Sequence, residues 1–272
     1  MARTVTFSKL GDHGQFGNQL FQIAAVLGYA ARTGARPCLP PWRCAVSGHD
    51  YERHFPAFAR YRGRPGRAQL YAEPSFAFRE IPPAEHLDLR GNFQCARYFE
   101  HCADAIRELY AEPPVIGEAL DRALAGLGLG DFAAMHVRFY ADPVRDIGHG
   151  PIEALPLGYY AAALRHLGSY LPVVITTDNR RLLAPALRVI RPAARVILSP
   201  CESHLQDFFL LARARRIAIA NSSFSWWAAW LGRAKELVVA PHRYYWFSPE
   251  VRHHPFWTPR DLYPPDFREI PW

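Results

Sequence analysis

Short apolar runs at 132–138, 173–177, 195–198, 216–220 and 236–240 alternate with stretches whose apolar positions recur every three or four residues. The runs predict buried strands, the stretches between them predict helices, and their alternation predicts a parallel α/β sheet. Upstream, a first strand over 4–9 leads into GDHGQFGNQLFQ and then Leu20, Ile23, Ala24, Leu27 and Ala31 at helical spacing, a strand, glycine-turn and helix unit. Gly11, Gly14 and Gly17 permit tight backbone geometry there, and Asn18 is placed either to cap the helix or to turn its amide toward a ligand. Residues 38–83 are rich in Pro, Arg and aromatics without periodicity, which predicts irregular structure covering a surface or groove. Pro113, Pro114 and a GLGLG run mark a boundary zone over 111–130, which divides the chain into expected domains 1–120 and 121–272.

Half of the 272 residues are hydrophobic, enough to bury a large core in one large domain or two modest ones. The net charge of +7 suits anionic partners, but the basic residues are dispersed, without a basic tract or zinc-finger spacing. A nucleotide substrate or an anionic membrane surface accounts for that charge better than nucleic acid does. Five cysteines without a CxxC pair argue against a disulfide framework and a zinc site, and fit a reducing cytoplasm. The start, MARTVTFSKL, lacks the apolar core of a signal peptide, and the longest apolar stretch, around 21–31, is too short to span a bilayer. The expectation is a cytoplasmic protein whose membrane contact, at the inner face, is peripheral.

Ligands of open α/β sheets bind beyond the carboxyl ends of the strands, where this chain places His136 and Arg138, then Asp178, then Asn221 and a serine turn. The segment RIAIANSSFSWWAAWL sets a short strand against a helix start, where unpaired N–H groups, the helix dipole and the hydroxyls of Ser222, Ser223 and Ser225 suit a phosphate. An ordinary serine cap reads the same way in isolation; an Arg converging on it makes a pyrophosphate clamp. Asp207 lies on the helix that leads into that strand.

Six segments in shared order carry a family resemblance: GQFGNQLFQ at 14–22, LRGNFQCARYF at 89–99, HVR at 136–138, LPLGYY at 155–160, TTDN at 176–179 and NSSFSWWAAWL at 221–231. Together they resemble glycosyltransferase family 11, the α-1,2-fucosyltransferases, and more distantly the α-1,6- and protein O-fucosyltransferases. The resemblance implies an α/β, GT-B-like fold, two Rossmann-like domains facing a central cleft, with the acceptor side in the N-terminal domain. It implies GDP-β-L-fucose as donor substrate, a glycan acceptor with galactose O2 as the attacked hydroxyl, inversion at the anomeric carbon, and neither metal nor other cofactor. Arg138 would hold the donor pyrophosphate, with His136 and Asp178 beside it, and Gly17 and Asn18 would approach the same phosphates. Asp207, in LQDFF, would read the guanine N1–H and N2–H donors. Asn221, Ser222, Ser223, Phe224 and Ser225 would line phosphate and nucleoside, while Trp226 and Trp227 pack the helix on the sheet. Where family 11 usually shows HxRRGDY, this chain reads HVRFYAD, with Phe139 in place of the second Arg. The protein O-fucosyltransferases resemble that version, with Asp142 in the place of the acid.

In this reading the acceptor hydroxyl attacks fucose C1 as GDP leaves from the opposite face, and Arg138 with the N–H groups near Ser223 stabilises charge growing on the β-phosphate. Asp142, His149 and Glu153, in the loop after Arg138, are the candidates for general base. The chain has no DxD motif to hold a metal. Other readings are a different GDP-sugar transferase, an O-fucosyltransferase with another acceptor, lipid-linked or free, and a non-catalytic sugar- or nucleotide-binding relative. A nucleic-acid-binding module comes last.

Overall fold

The computed structural model describes residues 3–64, 66–140, 152–232 and 235–271. It divides into two compact units, the first running to Ala111 and joined by His253–Pro264, the second running from Glu112 to Arg252 and resuming at Pro265.

Unit 1 contains β1 (Thr4–Thr6), α1 (Phe16–Thr33), β2 (Arg36–Pro37), β3 (Gln69–Ala72), β4 (His86–Arg90) and α2 (Ala103–Leu109). Its strands form a parallel sheet in the order β2-β1-β4-β3. From Phe16 to Ala30 every residue of α1 except Asn18 is buried, so the helix needs cover beyond the sheet. The proline- and aromatic-rich segment supplies it. Trp42, Tyr51, Phe55 and Phe58 are at most 2% exposed. Phe16 of α1 lies 4.7 Å from Tyr51, and Trp42 lies 5.2 Å from Phe55, ring centre to ring centre. The Trp42 indole N–H donates to buried Gln19 Oε1 at 2.9 Å. These four aromatics are therefore core, and the irregular stretch expected over 38–83 also contains strand β3.

Unit 2 contains α3 (Pro114–Gly126), β5 (Ala133–Val137), α4 (Leu157–Leu167), β6 (Val173–Thr177), α5 (Arg180–Ile190), β7 (Val196–Leu198), α6 (His204–Arg213), β8 (Arg216–Ala218), α7 (Ser223–Leu231), β9 (Leu237–Pro241) and β10 (Phe267–Ile270). Helix α3 starts at Pro114 and buries Ile116, Leu120 and Leu124. It runs through the 120/121 position expected to separate the domains; the divide falls ahead of it, at Ala111. The sheet is parallel throughout, in the order β10-β9-β8-β5-β6-β7. Met135, Val137, Val173, Ile175, Ala218 and Val239 pack with Tyr159, Tyr160, Ala163 and Leu167 of α4. The two-residue period sends Ala134 and His136 to the other face, where Phe224 of α7 meets His136. All five residues of β5 are buried, as expected for a parallel strand covered on both faces. Trp226 and Trp227 are fully buried, in their expected packing role.

In unit 2 the chain runs from β5 to β6 and β7 on one side, then returns to place β8 on the other side of β5. In unit 1 it runs from β1 to β2, then places β4 on the opposite side of β1. Each sheet thus reverses its winding at one point, between β5 and β8 and between β1 and β4, and leaves a crevice at those carboxyl ends.

Candidate active site

The unit 2 switch point gathers the predicted strand-end residues. Past β5, the Arg138 main chain exchanges hydrogen bonds with Tyr160 Oη: its N–H donates at 3.1 Å and its carbonyl accepts at 3.3 Å. The next two N–H groups, of Phe139 and Tyr140, donate to Asp178 Oδ1 and Oδ2 at 2.9 and 3.1 Å. Tyr140 is thereby held at φ 50°, a left-handed conformation costly for a bulky residue. Its hydroxyl donates to the Asn221 carbonyl at 2.8 Å, tying the turn after β5 to the turn after β8. Arg138 Nε lies 3.4 Å from Asp178 Oδ2, and the guanidinium stacks 4.9 Å from the Tyr140 ring centre with a fifth of its side chain exposed. Asp178 was expected on the donor; both of its oxygens instead anchor the turn that aims Arg138.

The serine turn divides in the same way. Asn221 is fully buried, and its amide donates to the carbonyls of Glu153 and Tyr245 at 2.8 and 3.3 Å, which makes it a clasp between loops. Ser222 donates its N–H to the Ala220 carbonyl, and Ser225 is buried with its hydroxyl on the Ser222 carbonyl at 3.4 Å. Ser225 is therefore closed off from solvent, and the accessible part of the turn narrows to Ser223 and Phe224, both half-buried. Helix α7 begins without a side-chain cap, so its positive end is not covered by its own cap residue.

A line of rings joins this turn to Asp207. Phe224 lies 5.5 Å from His136 and 5.3 Å from Phe208. His136 is buried, and burial together with the Arg138 charge brings its pKa down to about 3, so it is a neutral packing partner and Arg138 carries the positive charge. Asp207 sits in the first turn of α6, accepts the Ser199 hydroxyl at 2.5 Å, and has its pKa raised by burial. Arg180 braces the same loop by donating to the Ser199 and Cys201 carbonyls at 3.1 Å. Of the base candidates, Asp142 and His149 lie outside the described residues; Glu153 is exposed. Tyr140, Tyr160, Ser199 and Arg180 were not anticipated as site residues, although Tyr160 belongs to the LPLGYY segment.

Unit 1 holds Gly17 and Asn18. Gln15, not Asn18, is the cap of α1; Asn18 sits in the first turn and its Oδ1 accepts from Gln94 Nε2 at 3.0 Å. Gly14 has φ 74°, and a Cβ there would come within 2.7 Å of the Asn18 side chain, so glycine is required for this close turn. Gly14 and Asn18, but not the buried Gly17, border a cavity of about 400 Å³ at the β1–β4 switch point, lined also by Phe7, Lys9, His13, Gln22, Arg90, Gly91 and Asn92. Glu73 shapes its rim: the buried carboxylate accepts the N–H groups of Asn92 and Phe93 at 2.6 and 3.0 Å, and burial pushes its pKa up to about 7. Among the described residues no group of His, Cys, Asp and Glu is arranged to hold a metal ion, and no helix is long and apolar enough to cross a membrane.

No protein-family model matches the chain. It is similar to the O-antigen biosynthesis glycosyltransferase WbnK of Escherichia coli, 31% identical over 124 residues, a match covering 42% of this chain and 39% of WbnK. That match spans about two fifths of the relative's length. Among solved structures it is similar to the NodZ α-1,6-fucosyltransferase soaked with GDP-fucose, with 18% identity, a TM-score of 0.53, and coverage of 85% of this chain and 93% of that one. It is also similar to POFUT1 in complex with GDP, with 15% identity, a TM-score of 0.53, and coverage of 86% and 96%. The fold is that of these GT-B-like proteins.

Proposed function

We propose that the protein is an inverting, metal-independent fucosyltransferase that moves L-fucose from GDP-β-L-fucose to a glycan hydroxyl, galactose O2 being the attacked group. The observation that carries this reading is the convergence of Arg138 and the uncapped start of α7 at one switch point, with the guanidinium aimed by Asp178, Tyr140 and Tyr160. Such an arrangement suits a diphosphate leaving group: preorganised donors need no reorientation as negative charge develops. NodZ and POFUT1, which share the fold, are a fucosyltransferase soaked with GDP-fucose and a protein bound to GDP; the glycosyltransferase WbnK is the sequence relative. They support a GDP-sugar donor by analogy, and the site residues supply the chemistry. The acceptor oxygen attacks C1, the C1–O bond to the β-phosphate breaks, and the electron pair leaves with GDP against Arg138 and α7. The acceptor proton passes to a base, of which Glu153 is the described candidate.

Asp207, next in the chain to buried Phe208, whose ring meets half-buried Phe224, is assigned to the guanine edge. GDP should therefore raise the melting temperature where UDP and NAD do not. At about 100 times its dissociation constant a ligand binding only the folded state adds roughly 2.7 kcal/mol, a readily measured shift. Equal stabilisation by UDP would remove the guanine assignment. Transfer should also persist in excess EDTA; activity lost to chelation and restored by Mn²⁺ would move the leaving-group charge onto a metal.

A further inference from the structure

From Arg180 to Cys201 the chain holds five arginines and no Asp or Glu. Arg180 is committed to the Ser199 and Cys201 carbonyls. Arg181, Arg188, Arg191 and Arg195 are exposed, and among the described residues none of them makes an ion pair. Helix α5 sets the first two in register. It buries Leu183, Ala186 and Ile190, so its opposite side, with Arg181 and Arg188 seven residues apart, faces solvent. Leu182 and Val189, also seven apart, flank the arginines and are 40% and 67% exposed. Arg191 then caps the helix. Helix α4, which packs beside α5, likewise has no acid and exposes Arg165. Partial burial and the charges of Arg268 and Arg165 hold His166 of α4 below its ordinary pKa, so positive charge also gathers along that helix.

The common uses of surface arginine leave this face unexplained. Charge on an edge strand such as β7 deters stray pairing, which accounts for Arg195 alone. Helical ion pairs join residues four apart, but the residue four beyond Arg181 is Pro185 and the one four before Arg188 is Ala184. A symmetric contact with a second copy would set these cations against one another. A nucleic acid would satisfy the arginines and leave Leu182 and Val189 against phosphate. We propose that the outward face of α5 docks the protein on an anionic phospholipid bilayer, with the arginines at headgroup phosphates and Leu182 and Val189 entering the interface. Cations for the headgroups and apolar side chains for the acyl boundary are what interfacial helices supply. The proposal is independent of the fucosyltransferase reading, which uses none of these side chains.

The test is co-sedimentation of the whole protein, without donor or acceptor, with vesicles of phosphatidylcholine alone or mixed equally with phosphatidylglycerol. Binding is expected to the mixed vesicles only and should weaken as salt is raised. An arginine near an anionic surface is worth about fivefold in partitioning, so Arg181→Gln/Arg188→Gln should lower it roughly 25-fold. Arg64→Gln/Arg67→Gln removes the same charge from exposed positions of unit 1 and should leave partitioning unchanged, which separates this face from the net charge of +7. Leu182→Ser/Val189→Ser should weaken vesicle binding several-fold. Melting temperatures should match the parent's, since all six side chains are exposed. Failure to bind the mixed vesicles, equal losses in the two double-arginine variants, binding indifferent to Leu182→Ser/Val189→Ser, or full release from the vesicles by a short oligonucleotide would each overturn the proposal.

Discussion

The two units place polar groups at equivalent points of their sheets but commit them differently. In unit 2 Asp178, Asn221, Ser225 and the Tyr140 hydroxyl are bound to main-chain groups of the same unit. In unit 1 Glu73 is similarly committed, whereas Arg90 lines the cavity and makes no ion pair among the described residues. Groups held by their own scaffold are preorganised for a charge that appears only during reaction; uncommitted groups gain most from a ground-state ligand. Under the proposed function, the preorganised groups lie at the β5–β8 crevice, where the leaving group would go.

The contrast breaks most visibly at Arg138. Arg138→Ala should leave circular dichroism unchanged and lower turnover by roughly 10²- to 10³-fold, the cost of one transition-state donor. Arg138→Lys should rescue little, since lysine lacks the planar fork. A folded Arg138→Ala protein keeping more than about a third of wild-type turnover would show that the clamp is not where the leaving group goes.

Opposite pH responses offer a second break. His136 is held neutral, its pKa brought from 6.5 to about 3, so its contribution is complete above pH 6.5 and is lost as pH falls toward 3. Glu73 is raised from 4.5 to about 7, so its contribution is present below pH 4.5 and is lost as pH rises through 7. Denaturant titrations from pH 4 to 8 should find that His136→Phe flattens the acid-side loss by an amount on the order of a few kcal/mol, and that Glu73→Gln flattens the loss toward pH 7. Matching slopes for the two variants would contradict the separate environments described.

Asp178→Asn sharpens the comparison at smaller scale. Asparagine keeps one acceptor and loses the charge, so the Arg138 turn should loosen. Turnover is expected to fall roughly tenfold with the KM for GDP-fucose little changed, because the residue positions a group used in the transition state. A rise in KM at constant turnover would instead make Asp178 a donor contact.

Unit 2 was legible because its strands are apolar runs bounded by helices, and because the strand-end rule selects Arg138 and the serine turn without tertiary knowledge. Unit 1 was less so. Strand β2 is two residues long, and β3, reading QLYA, is largely exposed and defined by its ladder to β4. The aromatics of 42–58 carry no period because they cover α1 from irregular chain and short 3-10 turns. Asn18 looked like a cap by residue preference, but Gln15 takes that position, leaving Asn18 to meet Gln94. The anchoring roles of Asp178 and Asn221, and the part played by Tyr140, depend on main-chain partners 24–81 residues away, which no local pattern encodes.

The most direct measurement of the central claim is proton NMR of the product formed from GDP-β-L-fucose and a panel of galactose-terminated glycans. The account predicts an α-linked fucose on galactose O2 with stoichiometric release of GDP. Free fucose alone, a β-linked product, or no consumption of GDP-fucose with any of these acceptors would contradict it.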